Sequence, residues 1–359
     1  MNPFEKFHSL PDSKKECISF IDFSSNSISL SPSGNKLIIG HSTEALDLDQ
    51  YNQFVGHMES MGFKDDEWIL LHSNLLTTYK NARKLDNHYY RLVRFVKKMN
   101  EELCKRISVE ELKDLYFPFS DKLIDELKKS KREKKYLCYN GSARIHRILL
   151  IDDLVKKDLI RDGMISMHEK PNEEFFSMIE NEQYAYLDKK VDRKNYFFES
   201  SPHYLSNIDF GGMIDGIDAD FWCTIDRQHL MNTYFNVIPE TIFFIDEPDD
   251  YLLVTEKTYK SIIQHPSLIF GRPYTLRHLK DIGFKTFDNM FDESYDDEMD
   301  DLKRYNMVLN EIERLCKCSH EDLQMMYNDS IDIFLHNQQV MLNETKTFLD
   351  VKGELINEY

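Results

Sequence analysis

The sequence predicts an α/β protein of two lobes, each with a mostly parallel sheet covered by helices, and three observations carry that prediction. The chain of 359 residues exceeds the size that one hydrophobic core usually serves. Short apolar runs, several closed by glycine or turn residues, alternate with amphipathic helical patterns in two separate series. An apolar content of 41% with 13% aromatics is enough to build real cores and excludes wholesale disorder.

In the first series, Cys17 to Phe23 alternates as a strand does, and Lys36 to Gly40 is a short buried-type run closed by glycine. Glu67 to His72 is a third strand, ended by Ser73 and Asn74, and Leu75 to Arg83 reads as a helix. From Tyr89 to Arg106 the apolar residues Leu92, Phe95, Val96, Met99 and Leu103 recur at helical spacing on a basic segment. Asp121 to Lys135 reads as a charged helix, its basic end from Lys128 onward leading into the second series as a solvated hinge or an anion-facing surface.

The second series begins with the strand Tyr136 to Tyr139, a turn at Asn140, Gly141 and Ser142, and a helix from Ala143 to Lys157. Glu169 to Ser206 is polar, aromatic-rich and weakly periodic, as an insertion would be. Strands follow on either side of Pro239 and Glu240, then a helix over Thr255 to Gln264 and a strand over Ser267 to Gly271. Arg272, Pro273 and Tyr274 make a turn, Thr275 to Ile282 a helix capped by Gly283, and Lys285 to Phe287 a last short strand. From Asp300 the pattern is helical to the end. The expected domains are therefore residues 1–130, residues 131–299, and a C-terminal helical segment, 300–359, packing back on both.

The composition narrows the classes of function. A formal charge of −18 disfavours a protein that coats nucleic acid by neutralising phosphates. The charge is uneven: Asn81 to Arg106 holds eight Lys and Arg against three acids, and Asp288 to Asp301 holds eight acids and no base. No run approaches the roughly 20 apolar residues of a membrane helix, and the first residues lack a secretory apolar core, so the expectation is no membrane insertion and a cytoplasmic location. The six cysteines are expected to be reduced, and Cys316 and Cys318 are spaced too closely for a zinc half-site.

Two segments stand out chemically. Tyr139 to Arg147 is a strand-turn-helix junction with Arg144 and Arg147 in the opening turns. Cations are disfavoured at a helix start by the macrodipole, so a bound anion such as a phosphate would account for them, as would pairing with carboxylates of this acidic chain. The second is Thr255, Glu256, Lys257, Thr258, Tyr259 and Lys260. Thr255 suits a helix cap, Glu256 could accept from a ribose hydroxyl pair, and Lys257 and Lys260 lie three apart, within reach of a diphosphate; an ordinary charged surface helix has the same spacing.

The Thr-Glu-Lys motif opening a helix, followed by a strand ending in Gly271, resembles the donor-binding motif of fucosyltransferase-like glycosyltransferases with the GT-B fold. The stretch from Tyr136 to Asp296, including Val237 to Thr241 around Glu240, also looks like glycosyltransferase-like proteins of phages and large viruses. The resemblance implies two Rossmann-like lobes with a cleft between them. It further implies a donor site of Asn140, Arg144, Arg147, Glu240, Thr255, Glu256, Lys257, Lys260 and Gly271.

The activity implied is inverting transfer of a sugar from a UDP- or GDP-linked donor to a hydroxyl of a glycan, a small molecule or modified DNA. The nucleotide sugar is a co-substrate, with no other cofactor and no metal required. For the base, Glu44 follows the strand of Leu37 to Ile39 at the end where parallel sheets place ligands, with His41 in reserve. The acidic pairs Asp218/Asp220 and Asp47/Asp49 have metal-chelating spacing that chance also supplies in so acidic a chain. Asp292, Glu293 and Asp296 are further carboxylates for a ligand or catalytic role, or a solvated loop. Two other readings stay open: transfer to a hydroxymethylated base of viral DNA, and a non-catalytic binding module on the same fold.

Overall fold

The computed structural model describes residues 6, 9, 28–33, 36–41, 48–64, 67–72, 88–90, 121–140, 144–167, 213–214, 217–218, 225, 227–245, 252 and 254–341. The protein is α/β. Its chain divides into two compact units, one of Met1–Ser108, Ile245–Tyr259 and Gln339–Tyr359, the other of Val109–Phe244 and Lys260–Gln338. The second unit thus begins at Val109, ahead of the boundary expected at 130, and includes the helical residues 301–338.

In the first unit, β1 (Ile28–Ser33), β2 (Lys36–His41), β3 (Trp68–His72) and β4 (His88–Tyr90) form a sheet in that order. The β1–β2 pair is an antiparallel hairpin, while β2–β3 and β3–β4 are parallel. Helix α1 (Leu48–Ser60) buries Phe54, Val55 and Met58, and the Phe54 ring meets Trp68 of β3 edge-on at 5.3 Å. Where helical spacing predicts a helix from Tyr89, the structure has β4 through Tyr90: two adjacent tyrosines beside a parallel partner favour the pleated strand over the helix. The expected strand Cys17 to Phe23 and helix Leu75 to Arg83 lie outside the described residues.

The second unit opens with α2 (Asp121–Lys129), which stops six residues before the predicted end. The basic tail beyond it is no solvated hinge at Arg132, whose buried guanidinium stacks 3.9 Å from the Tyr327 ring centre and donates to the carbonyls of Thr233 and Leu127. Strand β5 (Tyr136–Asn140), helix α3 (Ile145–Lys156) and strand β6 (Gly163–Met167) follow as a parallel crossover unit. Gly163 is a close-approach glycine: a Cβ there would stand 2.4 Å from the Tyr136 ring.

A two-residue hairpin, β7 (Met213–Ile214) with β8 (Ile217–Asp218), and α4 (Arg227–Asn232) precede β9 (Phe235–Pro239). Helix α5 (Glu256–Ile262), β10 (Ser267–Phe270) and α6 (Thr275–Asp281) complete the alternation. Gly283 closes α6 with a φ of +93°, the left-handed conformation its predicted capping role requires. The predicted strand Lys285 to Phe287 has no strand partner. Instead Asn337 brackets Lys285, accepting from its N–H at 2.8 Å and donating to its carbonyl at 2.9 Å, so one side chain replaces a ladder.

Helices α7 (Asp301–Lys317), α8 (His320–Asp329) and α9 (331–341) follow a 3₁₀ turn at Glu293–Asp297. Tyr305, Val308, Leu309, Ile312, Leu315 and Cys316 form the buried stripe of α7, recurring every three or four residues. Asp300 and Ser319 cap α7 and α8 by accepting from Lys303 and Asp322 N–H.

The four parallel strands of this unit run in the order β10-β9-β5-β6. The chain therefore builds outward from β5 to β6, then returns to the other side of β5 and builds outward from β9 to β10. Helices lie on both faces: α3 against the face of Phe270, whose ring is 5.7 Å from that of His146, and α4 on the other, where Leu230 packs with Leu137. No helix among the described residues is long and apolar enough to cross a membrane.

Candidate functional site

The strand order reverses between β5 and β9, and in open parallel sheets the crevice beyond the carboxyl ends at such a reversal is where ligands bind. Three of the sequence-predicted residues stand at successive strand ends on this edge. Asn140 ends β5, Glu240 follows β9, and Gly271 follows β10. Asn140 is 1% exposed and Glu240 0%, so this is a buried polar edge rather than a solvated rim.

Helix α3 organises it. The registered ladder between β5 and β9 covers only Tyr136–Phe235 and Leu137–Asn236, although both strands continue. Beyond it, the carbonyls of Pro239 and Glu240 are met by side chains of α3. Arg147 Nη2 donates to both, at 3.0 and 3.2 Å, and His146 Nε2 lies 2.8 Å from Glu240 O. Because a carbonyl only accepts, Nε2 carries the hydrogen. Burial, with the charge of Arg147 beside it, holds the His146 pKa well below the usual imidazole value, so the ring is neutral and packs among Phe243, Phe244 and Phe270. On the other side, the Glu240 N–H donates to Phe270 O at 3.0 Å, and Oε2 accepts from Thr241 N–H at 3.0 Å.

Arg147, 3% exposed, is thus committed to the protein's own carbonyls. Where the sequence suggests a phosphate or a carboxylate as the partner of Arg147, Nη2 meets backbone oxygen. Arg144 differs: it is exposed at the N-cap of α3, a helix with no acid in its first turn. Asn140 Nδ2 makes long contacts to Cys138 O and Sγ, at 3.5 and 3.4 Å, and its N–H donates to Ser166 Oγ at 3.2 Å. Its Oδ1 has no hydrogen-bond partner. The Cys138 thiol beneath is pushed up to about 12 by burial and stays protonated.

Lys260 is buried in α5, within the second unit. Thr255, Glu256 and Lys257 belong to the first unit, where Thr255 Oγ1 lies 3.4 Å from Lys257 N and 3.3 Å from its Nζ, the capping position expected of it. His41 ends β2, and Glu44 lies outside the described residues. Asp218 is in β8, with Asp220 outside the described residues.

Asp292, Glu293 and Asp296 serve the fold. Asp292 accepts from Ser294 N–H, Glu293 from Lys280 and Thr286, and Asp296 from the N–H groups of Leu276 and Arg277. Among the described residues no group of three or more His, Cys, Asp and Glu is placed to hold a metal ion.

His146 was missed from the sequence, although a signal existed. Ile145 to Ile151 is buried on every side of the helix, which forces any polar residue in its first turn to be buried and paired.

The arrangement defines a doubly wound α/β unit whose reversal point is lined by acceptors and braced by two basic side chains. Comparison with known proteins finds no match to the chain among family models, curated proteins or solved structures.

Proposed function

We propose that the protein is an inverting glycosyltransferase of GT-B-like, two-lobed architecture, acting in the cytoplasm on a nucleotide-diphosphate sugar. The observation that carries the reading is the reversal of strand order between β5 and β9, with Asn140 and Glu240 at the two strand ends beside it. The fucosyltransferase-like Thr-Glu-Lys segment and the glycine-ended strand that follows it are the sequence's support for a nucleotide sugar in particular.

In this reading the donor lies along the carboxyl edge. Its diphosphate faces exposed Arg144 and the N-terminal end of α3, a polarity suited to an anion. The acceptor hydroxyl oxygen forms a bond to the anomeric carbon as the bond from that carbon to the diphosphate oxygen breaks. The diphosphate leaves with the electron pair, and the hydroxyl proton passes to a carboxylate base. Arg144 and the helix dipole then stabilise charge as it gathers on the leaving group. Arg147 has a different part, keeping the Glu240 segment in place.

A thermal-shift screen of UDP, GDP and their sugar derivatives tests the proposal. Saturating donor raises the unfolding temperature by linkage, by about 2.7 kcal/mol of stabilisation at a hundred times Kd, and Arg144→Ala reduces the shift while leaving the ligand-free transition in place. Absence of any shift with every nucleotide refutes it.

A further inference from the structure

We draw no further inference here: the strongest candidate, the exposed lysines Lys128, Lys129 and Lys131 where α2 turns toward β5 at the amino edge of the second unit's sheet, is a charged surface patch for which nothing in the structure shows what covers it.

Discussion

The Nε2–H of His146 donates to the backbone carbonyl of Glu240 at 2.8 Å, and that bond ties the first turn of α3 to the end of β9. It also makes the edge sensitive to pH. The folded-state pKa of His146 lies well below its ordinary value, because burial and the charge of Arg147 oppose protonation. Below about pH 6.5 the unfolded chain therefore binds a proton that the folded one does not, and stability falls as pH falls. His265, buried beside Thr233, is depressed in the same direction, chiefly by burial. Urea midpoints measured from pH 7.5 to 5 should decline in wild type and decline less in His146→Gln. Equal slopes in the two proteins would show that His146 is not a source of the dependence.

Arg147 should be far more important to folding than an arginine at a helix start usually is. Arg147→Met keeps the length of the side chain but leaves the Pro239 and Glu240 carbonyls without its two hydrogen bonds. A loss of about 2–4 kcal/mol in urea unfolding is expected, since hydrogen bonds to a charged group contribute about 1.5–3 kcal/mol each and additivity is incomplete. Arg144→Met, at an exposed site, should stay within about 0.5 kcal/mol of wild type.

Asp296 supplies the cap that α6 lacks in its own sequence. Tyr274, at the N-cap position, has a φ of 66° and no side-chain cap, while the two carboxylate oxygens of Asp296 accept from Leu276 and Arg277 N–H at 2.9 Å each. Asp296→Ala should cost about 1–2 kcal/mol. Burial raises the carboxyl pKa to about 6, so its contribution diminishes as pH rises from the unfolded value of 3.8 through 6. The trend opposes that of His146, and Asp296→Asn, titrated by urea midpoint over the same range, should remove it.

Asn337 stands in for a strand. Its side chain bonds Lys285 on both sides and also donates to Ile262 O at 2.9 Å. Asn337→Ala should lower stability by about 2–3 kcal/mol, as a buried three-bond bridge is lost. Amide exchange should accelerate most at Lys285, whose N–H loses its acceptor. Unchanged exchange there would contradict the assignment.

Much of the second unit was legible in the sequence because its strands are continuous apolar runs with nowhere to go but a covered sheet. Tyr136 to Asn140, Phe235 to Pro239 and Ser267 to Phe270 are examples, and every residue of the latter two is buried. Strand order was not legible, since no residue of β5 specifies that β9 rather than β6 lies on a given side; that follows from long-range packing. The end of α2 and the state of Arg132 were misread for a related reason. A basic run looks solvated until Tyr327, almost two hundred positions away, supplies a ring to stack on. Arg147 stands out in the sequence as a cation at a helix start, but which oxygen it serves depends on where β9 lies.

The separation of β6 from β9 by a single intervening strand has a bearing on how this chain can change length. Crossing two inter-strand spacings and returning along one strand covers roughly 20 Å, a distance that about six to ten extended residues bridge. The sequence commits residues 168–234 to that step. Connectivity thus uses only a small part of them, and loop entropy penalises added length weakly. Ile225 and Leu230 would have to stay, since they pack on Leu137, but ahead of them the connection could take up added residues while the four strands keep their order.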